Sequence, residues 1–574
     1  MNLRSPSLLF LSLVMSACAQ VPAKTTSPVE QPVAVVPEKA LNLPNQELSN
    51  QLVYEFLLAE MAGQRGNLKL ASDAYLDLAQ KTNDPRVAKR ATEVALFSRL
   101  PQQAYQSAKI WMKLEPDADQ PRQATVALLI NAGRLEEARP LLEQLIAGEE
   151  ANRGAAFLHL NSLLSKQANK KAVLELVKDL AKPYPQVSEA HYAIAQAAWA
   201  AEQMDLALAE SKEAARLRPD WEFAVLLQGQ LLQRTAPLEV PELYQTFLKK
   251  YPKAREVRLA YARFLVNDKK YEAAREEFQK LLKAFPDNAE VTLAVGLLSL
   301  QLNDFDAAET YFKQVLDMDY KDDDSVYFYL GQLNEERNQL DEAIKSYEKV
   351  GKSDYFLTAQ IKIASVLVKQ GKVEEARKRL HQVPVQNNQE RAQLIQYEAQ
   401  IFRDTKDYKG AFDVLSHGLE KLPNYPDLLY DRAMIAEKLN KMDVLEKDLR
   451  KLIQLKPDYA HAYNALGYTL ADHTTRLDEA LKLIEKALQL SPDDPFIMDS
   501  LGWVQHRMGK NDKAADTLKR AFAIRPDPEI AAHLGEVLWA QNKRDEALVI
   551  WQGALKDAPQ NEVLIGVLKK YTSQ

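Results

Sequence analysis

Three successive stretches near the end of the chain repeat one pattern of small and apolar residues. They are AHAYNALGYTLADHTTRLDEALKLIEKALQLSP at 460–492, DDPFIMDSLGWVQHRMGKNDKAADTLKRAFAIRP at 493–526 and DPEIAAHLGEVLWAQNKRDEALVIWQGALKDAP at 527–559. Each stretch contains a leucine–glycine pair, two alanines seven residues apart and a closing proline. A unit that recurs about every 34 residues predicts a helical hairpin repeated along the chain.

The period and spacing resemble those of the tetratricopeptide repeat, in which two antiparallel helices cross at small residues and a proline marks the turn into the next unit. Two helices approach to about 8 to 10 Å only where the crossing residues are small. We therefore expect Gly502 in the first helix to face Ala514 and Ala521 in the second. Leu501 and Leu518 supply an apolar stripe that one hairpin cannot cover alone, so neighbouring units must stack.

The same pattern continues in weaker form towards the N-terminus. The prolines that close the units recur at Pro185, Pro219, Pro252 and Pro286. The sequence predicts an all-α fold, a tetratricopeptide-repeat superhelical solenoid of roughly fifteen helical pairs. Within it we expect degenerate N-terminal helical repeats at 47–183, the regular array at 184–559 and a C-terminal capping helix at 560–574.

Residues 1–17 have the composition of a secretory signal peptide, with an apolar core that is too short to span a membrane. Met15–Cys18 resemble the lipobox of bacterial lipoproteins, in which the cysteine becomes the lipidated first residue of the mature chain. The resemblance implies that Cys18 carries acyl chains such as palmitate, and Ala19, which is not aspartate, implies the outer membrane. The alternative is a chance cysteine beside an ordinary cleavage site. Against it, Cys18 is the only cysteine in the chain.

After the lipidated cysteine, the remainder of 18–46 is proline-rich and has no helical or strand period. This composition predicts a disordered, extended tether. At about 3.1 Å per residue it could hold the folded part as far as about 80 Å from the membrane. The folded part would then lie in the periplasm.

The composition and motifs contain no pattern typical of an enzyme. The formal charge is −6, which predicts no nucleic-acid partner. The eight histidines are not at zinc-ligand spacing, and no serine lies in a nucleophile elbow. We therefore expect no enzymatic activity, no cofactor and no metal site.

An acidic run at Asp319–Asp324 could be imagined as a calcium loop. It lacks the glycine and the terminal glutamate of such a loop. Aspartates at this position, between two repeats, suit the positive N-terminus of the following helix. We interpret the run as a solvated turn.

The remaining candidate site is a surface. In the repeat family the first helix of each pair lines the concave face, and the register places aromatic and polar residues there in the last four units. The predicted protein-binding residues are Tyr430, Met434, Asn464, Tyr468, Asp472, Asp499, Trp503, His506, Arg507, Glu536 and Trp539. Aromatic side chains with polar neighbours are typical of peptide-binding grooves. Alternatively, Tyr468, Trp503 and Trp539 pack against adjacent helices as core.

The length, tether and long array together resemble the outer-membrane lipoprotein adaptor of a periplasmic carboxyl-terminal processing protease. In that family the array binds and activates the protease and presents cell-wall hydrolases for degradation. The resemblance therefore implies a periplasmic protease and its protein substrates as partners. The alternative is an assembly scaffold for an outer-membrane secretion or polysaccharide-export complex, because repeat scaffolds on one fold serve many partners.

Overall fold

The computed structural model describes residues 43–572 except 45, 149 and 319. In this part of the chain there are 31 α-helices, one short 3-10 helix at Pro237–Glu239 and no strand. The all-α prediction is therefore confirmed. The predicted signal peptide at 1–17 and the lipidated Cys18 lie outside the described residues.

The helices belong to two compact units, which are described separately. Unit 1 comprises the described residues up to Tyr320, and unit 2 those from Lys321. The helices of unit 1, α1 to α16, are in order Asn50–Gln64, Leu68–Thr82, Pro85–Phe97, Pro101–Leu114, Asp119–Asn131, Leu135–Ala147, Glu150–Leu164, Lys170–Ala181, Ser188–Ala200, Met204–Leu217, Glu222–Thr235, Val240–Lys250, Arg255–Asn267, Tyr271–Ala284, Ala289–Gln301 and Phe305–Leu316. The helices of unit 2, α17 to α31, are Asp323–Glu336, Leu340–Glu348, Phe356–Lys369, Val373–Gln382, Asn388–Asp404, Tyr408–Lys421, Pro426–Lys438, Met442–Leu455, Ala460–His473, Leu477–Leu490, Pro495–Arg507, Asn511–Ile524, Pro528–Ala540, Arg544–Asp557 and Glu562–Thr572.

Consecutive helices form hairpins. The described helices make eight pairs in unit 1 and seven pairs in unit 2, and α31 follows the last pair. The predicted number of roughly fifteen pairs is confirmed. The fourth pair is irregular, because α7 and α8 pack mainly against α9 and hardly against each other.

Most turns inside the hairpins share one backbone feature, a residue in the left-handed conformation. In twelve of the fifteen hairpins of the described residues, one residue between the two helices has a left-handed backbone, and in eight of these it is a glycine or an asparagine. Gly509, with φ of 79°, ends the first helix of the pair formed by α27 and α28. A left-handed residue at this place satisfies the last carbonyls of a helix and reverses the chain.

The crossing inside each hairpin differs in one detail from the expectation. Ala514 and Ala521 are fully buried, as small crossing residues should be. The side chain nearest to Gly502, however, is that of Leu518: a Cβ added to Gly502 would lie 2.5 Å from Leu518 Cγ. The glycine is required because the facing position of the second helix holds a large side chain, and interiors leave no room for both.

The same pairing of a glycine with a large side chain on the facing helix recurs in both units. A glycine in the first helix lies beneath a large residue of the second, in the pairs Gly229 with Tyr244, Gly296 with Phe312, Gly331 with Tyr347, Gly467 with Ile484 and Gly535 with Trp551. These large side chains are buried. Each of these six hairpins, with the Gly502–Leu518 pair included, therefore has its own core contact, and stacking of neighbouring hairpins covers the rest.

Two predicted segments can be placed in this architecture. The boundary expected at residue 183 falls inside unit 1, between α8 and α9, and one core cluster that extends from Val126 to Leu231 lies on both sides of it. In the acidic run, the side chain of Asp322 caps α17 by accepting a hydrogen bond from the Ser325 amide at 3.3 Å. Asp319 lies outside the described residues. Capping is the role that the solvated-turn interpretation gives to these aspartates.

The final helix covers the end of unit 2. α31 packs on α29 and α30, and its Tyr571 stacks on Trp551 at 5.6 Å between ring centroids. None of the helices in the described part of the chain combines the length and the apolar character that a membrane crossing requires.

Candidate protein-binding site

The predicted concave residues of the last repeats lie on the first helices of their pairs, α25, α27 and α29. Five side chains on these three helices form a connected group. We call it the Trp503 cluster, and its members are Tyr468, Asp472, Asp499, Trp503 and His533. The cluster joins three successive hairpins through side chains that are partly accessible to solvent, except that of Asp499, which is buried.

His533 lies at the centre of the cluster. Its ring stacks on the Trp503 indole with 4.4 Å between centroids and 24° between planes. Its Nδ1 donates to both carboxylate oxygens of Asp499, at 3.0 and 2.9 Å. Its Nε2 lies 3.5 Å from the Tyr468 hydroxyl. The imidazole is therefore positioned from α25 and α27 although it belongs to α29.

Asp472 holds the other side of the cluster. Its Oδ1 accepts a hydrogen bond from Trp503 Nε1 at 3.1 Å. Its backbone carbonyl accepts one from Arg507 Nη1 at 2.8 Å. The indole is thus fixed by a hydrogen bond at its edge and by stacking on one face. A rigid aromatic ring of this kind can bury contact area with little loss of rotamer freedom.

The electrostatics of the cluster follow from its carboxylates. Burial opposes the charged form of His533, but the charge and hydrogen bond of Asp499 and the charges of Glu536 and Glu529 outweigh it, so the pKa of His533 is raised. Burial, followed by the charges of nearby carboxylates that include Asp472 and Asp499, raises the pKa of Tyr468. At neutral pH the cluster therefore presents a neutral phenol beside an acid-paired imidazole.

Three other predicted residues, on α23 and α25, lie outside the cluster. Burial raises the pKa of Tyr430 to about 12, and its ring meets Tyr459 edge-on at 5.8 Å. Met434 is half-buried against the core of unit 2. The Oδ1 atom of Asn464 is buried without a hydrogen-bond partner among the described residues.

Trp539 and His506 have different surroundings from Trp503. Trp539 stacks on Trp551 at 5.7 Å and contacts Tyr571 at 5.4 Å, so most of its ring covers the joint between α30 and α31. His506 shares a hydrogen bond of 2.7 Å with Asn511 at the turn into α28. Packing thus dominates at Trp539, while Tyr468 and Trp503 keep polar atoms directed into the cluster. Protein binding at all of these residues stays a prediction.

Sequence reasoning did not identify His533. The helical register applies to one helix at a time, and His533 lies beside the positions of α29 that the register places on the concave face. Its role arises because its side chain crosses to the preceding hairpin, and no signal within its own repeat marks this contact. Across the described residues, no group of three or more histidine, cysteine, aspartate or glutamate side chains is arranged to hold a metal ion.

The raised pKa of His533 predicts a pH-dependent contribution to stability. A group whose pKa is raised on folding stabilises the native state below its unfolded pKa, about 6.5 for histidine, and this contribution is lost as pH rises through the folded value. The measured quantity is the urea concentration at which half of the protein is unfolded. As pH is raised from about 6 to about 8.5, we expect this concentration for wild type to fall relative to that for the His533→Gln variant. Tryptophan fluorescence would follow the unfolding.

His417→Gln is the matched control for this measurement, because His417 is an exposed histidine of the same unit on α22. Its pH profile should parallel that of wild type. An unchanged difference between wild type and His533→Gln across the pH range would contradict the expectation.

Comparison with known proteins finds the same repeat in several parts of the chain. Family models described as tetratricopeptide repeat match residues 239–298, 293–354, 457–527 and 500–562. These segments include the three stretches in which the sequence pattern is clearest. They also reach into both units.

Individual relatives have the same repeat. The TPR repeat-containing protein PA4667 of Pseudomonas aeruginosa is 37% identical over 540 residues, which cover 93% of this chain and 90% of the relative. Among solved structures, a thermophilic TPR protein of Thermus thermophilus is 25% identical and matches 33% of this chain and 98% of its own, with a TM-score of 0.29. The Cut9–Hcn1 hetero-tetramer of the APC/C is 15% identical over 86% of this chain and 97% of its own, with a TM-score of 0.30.

Proposed function

This chain belongs to the tetratricopeptide-repeat proteins, which act as protein-interaction scaffolds, and from that premise we propose that it is the adaptor of a periplasmic carboxyl-terminal processing protease. In this proposal the chain is held at the outer membrane by acyl chains on Cys18. It binds the protease and a cell-wall hydrolase at separate surfaces, and the hydrolase is cleaved. The acceleration comes from binding, and the protease supplies the chemistry.

The observation that carries the proposal is an uncovered apolar stripe on α1, at the start of unit 1. Val53, Tyr54, Leu57 and Met61 lie on one side of this helix and are 37%, 65%, 53% and 48% exposed. Their spacing is that of one helix face. The opposite side, with Ala59 and Ala62, is the side that packs on the rest of the unit, so the described residues leave the apolar stripe uncovered.

An exposed apolar stripe of this kind marks a protein-binding face. Large apolar side chains grouped on a surface are uncommon in soluble monomers and usually contact a partner. Positions one and two helical turns apart are also the anchors by which a helix lies in an apolar groove or packs on another helix. We assign the protease to this stripe because it is the more apolar of the two surfaces, and permanent complexes have more hydrophobic interfaces than transient ones.

The Trp503 cluster is the second surface, and we assign the hydrolase to it. It combines ordered aromatic rings with hydrogen-bonding groups, which suits reversible recognition of a protein segment. A scaffold that holds enzyme and substrate together raises their effective concentration into roughly the millimolar range. No contact between the chain and the scissile bond is needed.

A reconstitution tests the proposal. Purified chain beginning at Ala19, a periplasmic carboxyl-terminal processing protease and a cell-wall hydrolase are mixed, and cleavage is followed on gels. We expect strong acceleration by wild type. Leu57→Glu and the double variant Tyr468→Ala, Trp503→Ala should each lose it by about thirtyfold, which corresponds to loss of an interface hot spot of about 2 kcal/mol.

Each variant has a matched control. Phe97→Glu changes another exposed residue of unit 1, and Phe496→Ala changes an exposed residue of α27, the helix that also carries Trp503. Both controls should accelerate cleavage as wild type does. If the double variant remains fully active, the hydrolase binds elsewhere. If wild type itself accelerates no cleavage, the adaptor proposal fails and the assembly scaffold replaces it.

A further inference from the structure

Unit 1 contains an open pocket of about 500 Å³ between α7, α8, α9 and α11. We call it the Trp221 pocket. Its walls include Leu158, Val173, Tyr192, Gln196, Trp221 and Phe223. Its size lies in the range of sites that hold a small ligand or a large side chain of a partner. The pocket is distinct from the α1 stripe and belongs to a different unit from the Trp503 cluster.

Three aromatic rings form the apolar part of the pocket. Tyr192 and Trp221 lie 4.9 Å apart between centroids, and Phe223 meets Trp221 edge-on at 6.4 Å. Trp221 is buried, whereas Phe223 at the rim is 58% exposed and Leu158 across from it is 42% exposed. A partner that covered these two rim residues would remove apolar surface from water.

Hydrogen bonds order the polar side of the pocket. Asn161 Nδ2 donates to Gln196 Oε1 at 2.6 Å, and Gln196 Nε2 donates to the Tyr192 hydroxyl at 3.2 Å. Burial raises the pKa of Tyr192, so the phenol keeps its proton. Since this hydroxyl accepts from Gln196, its own proton can be donated to a peptide carbonyl of an occupant.

The mouth of the pocket is basic. Lys170, the first residue of α8, lines it; Lys171 follows in the same helix, and Lys166 lies in the connection between α7 and α8. Within the described part of the chain, no carboxylate forms an ion pair with these three lysines, and Lys170 Nζ donates to the Ser165 carbonyl at 2.6 Å. They surround the N-terminus of α8, whose dipole also favours negative charge. Charge complementarity therefore selects an acidic occupant.

The pocket exists because the fourth hairpin is irregular. In regular hairpins a large residue of the second helix fills the space over the first helix, as Leu518 does over Gly502. Here α7 and α8 both pack on α9 and hardly on each other, and residues of both helices line the open pocket. The irregular hairpin thus leaves open a space that, in hairpins such as the one formed by α27 and α28, a side chain of the second helix fills.

We propose that the Trp221 pocket is a binding site for an extended segment of a partner protein that carries a phenylalanine-like side chain flanked by acidic residues. The ring enters the pocket and packs against the wall that Tyr192, Trp221 and Phe223 form. The flanking carboxylates meet the lysines at the mouth, and the Tyr192 hydroxyl donates to the segment's backbone. The site does not depend on the proposed protease adaptor role, because binding of the segment requires neither protease nor hydrolase.

Peptide binding to the purified chain tests this site. The probe is a fluorescein-labelled, amidated nonapeptide with one central phenylalanine between pairs of aspartates and glycine–serine ends. Two companion peptides replace the aspartates with lysines or the phenylalanine with alanine. We expect the acidic phenylalanine peptide to bind about tenfold or more tightly than either companion, with an affinity that weakens as salt is raised.

Variants locate the binding. Ala200 lines the pocket and is exposed, so Ala200→Phe fills the pocket without disturbing the core. It should weaken binding about tenfold or more, as should Phe223→Ala and the triple change of Lys166, Lys170 and Lys171 to glutamate. Phe97→Ala, at an exposed phenylalanine elsewhere in unit 1, should bind as wild type.

Three results would overturn the site. They are equal binding of the three peptides, unchanged binding by Ala200→Phe, and no binding of the acidic phenylalanine peptide at about millimolar concentration, the weakest affinity of a specific contact. The cleavage assay gives a separate result. A chain that accelerates cleavage but binds no peptide refutes the pocket alone, and one that binds the peptide but accelerates nothing refutes the adaptor alone.

Discussion

Changing Cys18 to serine is expected to move nearly all of the protein from the membrane fraction to the soluble periplasmic fraction. Cys18 is the only cysteine of the chain and ends a lipobox-like segment. Each buried methylene of an acyl chain contributes about 0.8 kcal/mol, so two or more chains make attachment practically permanent. A serine offers no thiol for that modification. Fractionation of cells and metabolic labelling with a radioactive fatty acid would measure both effects.

Ala19→Ser is the matched control for this change, because it alters the neighbouring residue and leaves the cysteine in place. It should remain labelled and membrane-bound. A Cys18→Ser protein that still fractionated with outer membranes and still incorporated the fatty acid would show that the anchor lies elsewhere.

The largest loss of stability is expected from Trp551→Ala. Trp551 is completely buried, its Nε1 donates to the Ala532 carbonyl at 3.2 Å, and it stacks with Trp539 and Tyr571. Removing a buried tryptophan costs about 3 to 5 kcal/mol because a cavity remains. Gly535, which lies against the indole, has no side chain that could fill the space left behind.

The loss should be local, since hairpins in repeat proteins couple mainly to their neighbours. We expect amide exchange in α29, α30 and α31 to accelerate by a hundredfold or more, because each 1.4 kcal/mol is about tenfold. Val549→Ala, at a 69% exposed residue of the same helix, should change exchange little. Equal acceleration in α17 to α20 would contradict the expected locality.

The fold could be predicted because the repeat is encoded locally. The alanines and glycines recur at fixed spacing, and each hairpin forms from residues close in sequence. The exception is informative: Gly502 faces Leu518, although the pattern pointed to Ala514 and Ala521. Counting positions along a helix identifies which residues are small, but it does not show which side chain of the partner helix reaches them.

The candidate surfaces were predictable only in part. Tyr468 and Trp503 could be identified from register, but His533 could not, because it joins the Trp503 cluster across a boundary between hairpins. The Trp221 pocket gave no sequence signal, since it arises where α7 and α8 fail to pack together. A local irregularity of packing does not recur from one repeat to the next, so a search for a repeating pattern does not find it.

By itself, the sequence determined the helical class, the repeat family and the number of hairpins, because these depend on periodic residues whose partners lie within one unit. The tertiary structure decided which side chains meet between hairpins and which stay exposed. It placed His533 between Trp503 and Asp499, and it left the α1 stripe uncovered. Such contacts depend on how one hairpin stacks on the next, and stacking is set by the shapes of side chains that are distant in the sequence.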